Sequence, residues 1–167
     1  KYLSETSNDC TEHAMVGYVL DKTMSKNGSV SRGVCTVKDG YLDSIVENTK
    51  ISYKGNGIIS ELDGKEIEFT GKEWVSMNLF GFSPKAFEVF HEYWDNFKKT
   101  SLALPKSEAL LPVAAGQIVQ EGKGSIKFFT SQENWFGMTY PEDREVVKNE
   151  IAKKIEEGYY PSVLWEK

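Results

Sequence analysis

Three short segments carry side chains whose chemistry goes beyond what a turn or strand needs locally. In Gly28-Ser29-Val30-Ser31-Arg32-Gly33-Val34-Cys35 a polar loop runs into a strand through Arg32 and Gly33. A glycine permits close backbone approach to a ligand, and a guanidinium suits a phosphate or carboxylate. In Val46-Glu47-Asn48-Thr49-Lys50 a carboxylate stands at a strand end, where it can accept hydrogen bonds from sugar hydroxyls, and Lys50 can meet a phosphate. Ser76-Met77-Asn78 is a polar break within an apolar strand. A buried Asn78 must have its hydrogen bonds met by the fold or by a ligand. Each segment, taken singly, also has an ordinary structural explanation.

Other reactive residue types lack partners. His13 and His91 have no obvious nucleophile beside them, and both read as boundary or surface histidines. Cys35 lies inside a strand, where a buried thiol behaves as a small hydrophobe. The acid pairs Glu142/Asp143 and Glu156/Glu157 fit a helix N-terminus and a solvated face. Glycine-rich phosphate loops, the His-Glu-x-x-His metal motif and the Gly-x-Ser-x-Gly elbow are all missing. Two cysteines and two histidines without close spacing exclude a structural zinc site. A net charge of -5 with no Lys/Arg cluster argues against nucleic acid and against an anionic membrane surface. Two unpaired thiols and the lack of a signal-peptide or spanning pattern lead us to expect a cytoplasmic protein.

The elements that must position these residues follow from periodicity. Ala14 to Leu20 is a continuous apolar run, read as a strand buried on both faces. Arg32 to Val37 and Tyr41 to Val46 flank Asp39-Gly40, a strong hairpin signal. Ile58 to Leu62 and Glu66 to Phe69 form a second hairpin, giving a β-rich arm at the edge of the fold. Trp74 to Phe82 is a second buried strand. Ser83 should cap the next helix, with Phe87, Phe90, Trp94 and Phe97 as its buried stripe. Ser107 opens another helical segment, with Leu110, Leu111, Ala114 and Ile118 inward and Gly122 as its stop. Ile126, Phe128 and Thr130 mark a strand. Thr139 to Glu142 reads as a capping box for a last helix with Val147, Ile151 and Ile155 inward, a Glu150–Lys154 pair and Gly158 at its end. The tail from Tyr159 to Lys167 is apolar enough to pack on the body. The order implies one α/β domain with a mixed sheet, flanking helices and a β-hairpin arm.

The start is unusual. Lys1 to Thr6 reads as the last turn of a helix, and the run Ala14–Leu20 comes early for a strand that needs neighbours on both sides. We therefore expect the 167 residues to be a piece of a larger domain, an ordinary domain start being the alternative. Loss of neighbours would leave apolar surface beside Ala14–Leu20 and favour self-association.

From about Ala14 onward, the segments in order resemble the C-terminal half of the bacterial sugar-phosphate nucleotidyltransferases, the pyrophosphorylase-type enzymes. Met15-Val16-Gly17-Tyr18 is similar to the strand after that family's central metal-binding aspartate. Arg32-Gly33-Val34-Cys35-Thr36-Val37 with Gly40 and Glu47 resembles its Gly-Val-Val…Gly…Glu-Lys-Pro signature. Val75 to Phe82 resembles the following strand, and Asn134-Trp135-Phe136-Gly137-Met138-Thr139-Tyr140-Pro141-Glu142-Asp143 its late tryptophan motif. The resemblance implies a partial nucleotide-diphospho-sugar transferase-like fold of the GT-A or Rossmann-like kind. It implies transfer of NMP from an NTP to a sugar 1-phosphate or similar phosphate, with pyrophosphate released and Mg²⁺ required by the full-length enzyme. NTP, sugar phosphate and the N-terminal half of the domain would be the partners. Gly33, Glu47 and Asn78 match sugar-contacting places in the family; Arg32 and Lys50 are neighbouring candidates for binding substrate. No catalytic residue and no metal ligand are carried over, so the isolated chain is expected to be inactive. Two positions depart from the pattern. Asn48 stands where the family has lysine, and Gly137 stands where it has its second metal aspartate. A non-catalytic sugar- or nucleotide-binding or regulatory module on the same scaffold is the alternative.

Overall fold

Asp39 and Gly40 both take positive φ, 52° and 81°, as a two-residue type I′ turn requires. In the computed structural model, which describes residues 2–62, 64–138 and 140–163, this turn joins β2 (Val30–Lys38) to β3 (Tyr41–Lys54). β3 runs well past the expected Val46. It turns at Gly55 into β4 (Gly57–Leu62), which pairs with β5 (Lys65–Phe69). The expected second hairpin is therefore the continuation of a meander; its turn residue Asp63 lies outside the described residues.

β1 (Glu12–Val19) lies between β6 (Trp74–Gly81), antiparallel, and β7 (Ser125–Ser131), parallel. Both edges of β1 are thus paired by strands of this chain, and the neighbours that the sequence reading sought elsewhere are present within it. The sheet order is β2-β6-β1-β7-β3-β4-β5, and β2 also pairs with β3, so β2, β6, β1, β7 and β3 close on themselves. Closure at the β7–β3 side is slight: Tyr41 faces Lys127, and the Phe128 N–H donates to Gly40 O at 2.9 Å. The architecture is α/β with a mixed sheet, as expected; the closed ring is additional to that expectation. Met15, Cys35, Ile45, Ile126 and Phe128 form one core cluster with Ala115, and Leu20, Val30, Ile51, Ile58 and Val75 form a second.

The helices differ from expectation in which face they bury. α1 (Ala86–Thr100) starts after Ser83, which does not cap it. The Ser83 hydroxyl donates to Cys10 O instead, and its N–H donates to His13 Nδ1 at 3.2 Å. Ala86 and Val89 are the buried residues of α1, packed with Ile118, while Phe87 and Trp94 are 58% and 43% exposed. The small side chains allow the closer approach to α2, and this turns the expected aromatic stripe partly outward. α2 (Leu111–Gln120) begins with Pro112 in its first turn and buries Ala114, Ala115 and Ile118. Leu111 is exposed, and Ser107 lies before the helix, donating to Ser101 O. The stop is Gly122 at φ 65°, with the Lys123 N–H bonded to Ile118 O at 3.0 Å.

α3 (Asp143–Glu156) buries only Asp143. Ile151 is exposed, and Lys154 reaches Glu133 at 3.7 Å rather than Glu150. Thr139 of the expected capping box lies outside the described residues. Tyr159, Tyr160 and Val163 are exposed rather than packed on the body, and residues 164–167 lie outside the described residues. No helix among the described residues is long and apolar enough to cross a membrane.

Candidate functional site

Strand register builds the site. Gly33 on β2 faces Glu47 on β3 and Ser76 on β6, so one row crosses three strands. Just beyond Ser76 the β6 ladder slips: Met15 faces Phe80 and Gly17 faces Ser76, which leaves extra residues bulged on β6. Asn78 sits in this bulge at φ 58°, a left-handed value that asparagine tolerates better than most residues. Its N–H donates to Ser76 Oγ at 3.1 Å. Asn78 is exposed, not buried as the apolar run suggested, because the bulge lifts it out of the ladder.

A cavity of about 280 Å³ opens over this row, bounded by Arg32, Gly33, Glu47, Ser76, Asn78 and Trp135, with the segment leading into α2 as a further wall. Four of the substrate-binding candidates, Arg32, Gly33, Glu47 and Asn78, therefore meet at one place. Lys50 does not join them. It lies where β3 is irregular, with Val30 facing Ile51 and Arg32 facing Asn48, and its amine points outward to Glu61 at 3.6 Å. The glycine at 33 has a packing reason of its own. A methyl group there would lie 2.8 Å from Ile45 Cδ1 and 3.2 Å from Pro112 Cβ, so the side-chain position is taken by the seat of α2.

Glu47 and Arg32 set the electrostatics. Glu47 Oε2 is buried without a hydrogen-bond partner. Burial raises the pKa of its carboxyl, and the nearby Arg32 charge opposes that only partly. Arg32 is 8% exposed and spends hydrogen bonds elsewhere: Nε donates to Thr23 Oγ1 at 3.1 Å, one terminal nitrogen to Ser31 O at 2.7 Å, and the other to Thr23 O. The Trp135 ring lies over the guanidinium, 5.3 Å from its centroid. Burial lowers the Arg32 pKa to about 10, which leaves it cationic at neutral pH. The neighbouring Asn48 is buried too, with Nδ2 donating to Val46 O at 3.0 Å and Oδ1 unpartnered. The arrangement offers a ligand a desolvated carboxylate, a fixed cation, an amide and an aromatic face.

Arg32 and Trp135 also wall a second cavity of about 270 Å³, on the side of Lys26, Asn27, Gly137 and Asp143. Here Asp143 Oδ1 accepts from Asn27 Nδ2 at 2.7 Å and from Ser25 Oγ at 3.2 Å, and Oδ2 accepts from the Tyr140 N–H at 2.8 Å. This carboxylate ties α3 to the loop between β1 and β2. Among the described residues no group of three His, Cys, Asp or Glu side chains is placed to hold a metal ion. At Gly137, where the resemblance would put a metal aspartate, a methyl group would lie 2.3 Å from the Trp135 ring.

Two other reactive residues, His13 and Cys35, are buried in the fold. His13 is 1% exposed and accepts from Ser83, and burial lowers its pKa. Burial pushes the Cys35 thiol up to about 12. Cys10 and Cys35 are free. Trp135 and Ser76 belong to the site, although the sequence points to them only within longer segments; the tryptophan two residues before Gly137 is the available signal for the first. Compared with known proteins, the chain matches no family model and no curated protein.

Proposed function

We propose that the Glu47 cavity binds the acceptor of a nucleotidyl transfer, and that this chain is the acceptor half of a sugar-phosphate nucleotidyltransferase. The parent enzyme would join NMP from an NTP to a sugar 1-phosphate or similar phosphate and release pyrophosphate. One observation carries the reading: Arg32, Gly33, Glu47 and Asn78, drawn from three separate segments, line one cavity together with Trp135. A buried carboxylate oxygen without a partner suits a hydroxyl donor, and small-molecule sites combine a few such polar groups with an apolar wall. The reading takes the mixed sheet as a partial nucleotide-diphospho-sugar transferase-like layout in a cytoplasmic enzyme. It assigns NTP and Mg²⁺ to a part of the parent other than this chain, because the described residues bring no metal-ligand set. Without those groups the charge developing in the transition state lacks its main stabilisers, so the chain alone should not turn over. Assay of the full-length parent with several NTPs and a panel of sugar phosphates tests this. Pyrophosphate release from at least one pairing is expected; none from any pairing counts against it, and release by the isolated chain overturns the assignment as a half-site.

A second reading, a non-catalytic sugar- or nucleotide-binding or regulatory module, is favoured by the Trp135 ring lying where a metal aspartate at 137 would need room. The parent sequence ahead of Lys1 separates the two. An intact glycine-rich loop and strand-end aspartate favour the enzyme, and their loss favours the binder.

A further inference from the structure

Gly137 and Trp135 make an arrangement that a turn alone does not require. A methyl group at 137 would lie 2.3, 2.8 and 3.1 Å from three atoms of the Trp135 benzo ring. Packed atoms do not approach so closely, so any side chain at 137 must displace the ring. The backbone of Trp135 is tied, its N–H donating to Lys22 O at 3.0 Å. On its other contact the ring meets the Arg32 guanidinium, itself held by Thr23 and Ser31. Arg32 and Trp135 are the shared wall of both cavities. A displaced indole therefore changes the Glu47 cavity even though Gly137 does not line it.

We propose that Gly137 is a positioning residue for carbohydrate recognition: its bare α-carbon seats the Trp135 indole against Arg32, where the indole gives the Glu47 cavity an apolar face for the C–H side of a sugar ring. Glu47, Ser76 and Asn78 supply the polar groups for the hydroxyls. A pyranose carries both kinds of surface, whereas a free phosphate has no apolar face. The proposal rests on the reading of this cavity as the acceptor site. It also changes the meaning of the departure at 137. An aspartate there and a seated indole exclude each other, so glycine is a requirement of this site and not merely a lost ligand.

The test uses Gly137→Ala, Gly137→Asp and Trp135→Leu in the chain and in the full-length parent. In the chain, NMR follows the indole N–H signals and the Arg32 Nε–H. Gly137→Ala should move the Trp135 and Arg32 signals together and leave those of Trp74 and Trp94 in place. Unmoved Trp135 and Arg32 signals would overturn the positioning role. In the parent, a sugar 1-phosphate panel is assayed by pyrophosphate release. Each variant should raise the acceptor KM about tenfold, the scale of one lost apolar contact, with kcat and the NTP KM within about twofold. Gly137→Ala combined with Trp135→Leu should be no worse than either alone, since both remove the same wall. Additive losses, or Mg²⁺-dependent gain in Gly137→Asp, would sink the proposal. If the unaltered parent releases no pyrophosphate with any pairing, the nucleotidyltransferase reading fails. In that case the NMR signals, followed during titration with glucose 1-phosphate, still decide the inference. Shifts at Trp135 and Glu47 that Gly137→Ala abolishes support it, and shifts unchanged by the variant overturn it.

Discussion

Replacing Glu47 by glutamine separates its charge from its shape. Burial holds the folded carboxyl above its ordinary value, so the folded chain keeps a proton that the unfolded chain gives up sooner. Stability from this group is fully present below the unfolded carboxylate value and is lost as pH rises through the folded value. Glu47→Gln should therefore melt higher than the native chain at neutral pH, with the gap closing as the solution is acidified into the carboxylate range. Thermal melts across pH measure this, and an offset that does not vary with pH would show that the carboxylate is not desolvated. Acceptor binding should move the opposite way, because an amide has only one accepting atom. Gly33→Ala should cost about 1–3 kcal/mol, the usual penalty for overfilling a packed site, and chemical denaturation would read it. The Asp39-Gly40 hairpin was legible in the sequence, but it alone would set Gly33 opposite Val46; a one-residue shift between Thr36 and Val37 brings Gly33 opposite Glu47. The place of Lys50 was not legible, since the irregular stretch of β3 breaks simple counting along the strand. Ser76 joins the row only through the β2–β6 pairing, which no local pattern encodes.

Helices α1 and α3 show where periodicity misleads. On α1 the aromatic spacing i, i+3, i+7 is real, yet Ala86 and Val89 take the inner face because small residues let two helices approach. Ser83 has the residue type of a cap, but the nearby Cys10 carbonyl and His13 imidazole claim it. α3 has little apolar face, and Asp143 ties its N-terminus to the body through Ser25, Asn27 and the Tyr140 N–H. Asp143→Ala should cost about 1–3 kcal/mol by leaving these donors unpaired. Hydrogen exchange should then quicken along α3 before it does in β1 or β6; uniform quickening would mean that Asp143 supports the whole fold. His13 fastens β1 to the start of α1 in the neutral form, since Nδ1 accepts a hydrogen bond from the Ser83 N–H. With its folded pKa depressed by burial, the stability it gives is present above the ordinary histidine value of about 6.5 and is lost as pH falls through the lower folded value. His13→Asn should flatten that acid-side loss, which melts between neutral and mildly acidic pH would reveal.

At the level of the whole molecule, β1 does not offer a free edge, since β6 and β7 flank it. Exposed apolar side chains elsewhere include Phe87 and Trp94 on α1 and Leu102 and Leu104 after it. If the chain associates with itself, Trp94→Lys should lower its light scattering at high concentration; an unchanged signal would place the contact elsewhere. Closure of the five strands was hidden from the sequence because β1 pairs with β7 across most of the chain's length, and loop closure over that distance leaves no local trace. The ring also has one slender join, Tyr41 opposite Lys127 with the Phe128 N–H on Gly40 O. A hoop clasped at a single point flexes there first. Thermal breathing should then be spent at the clasp, away from the Gly33–Glu47–Ser76 row, so that the wall bearing the cavity stays stiff while the far side yields.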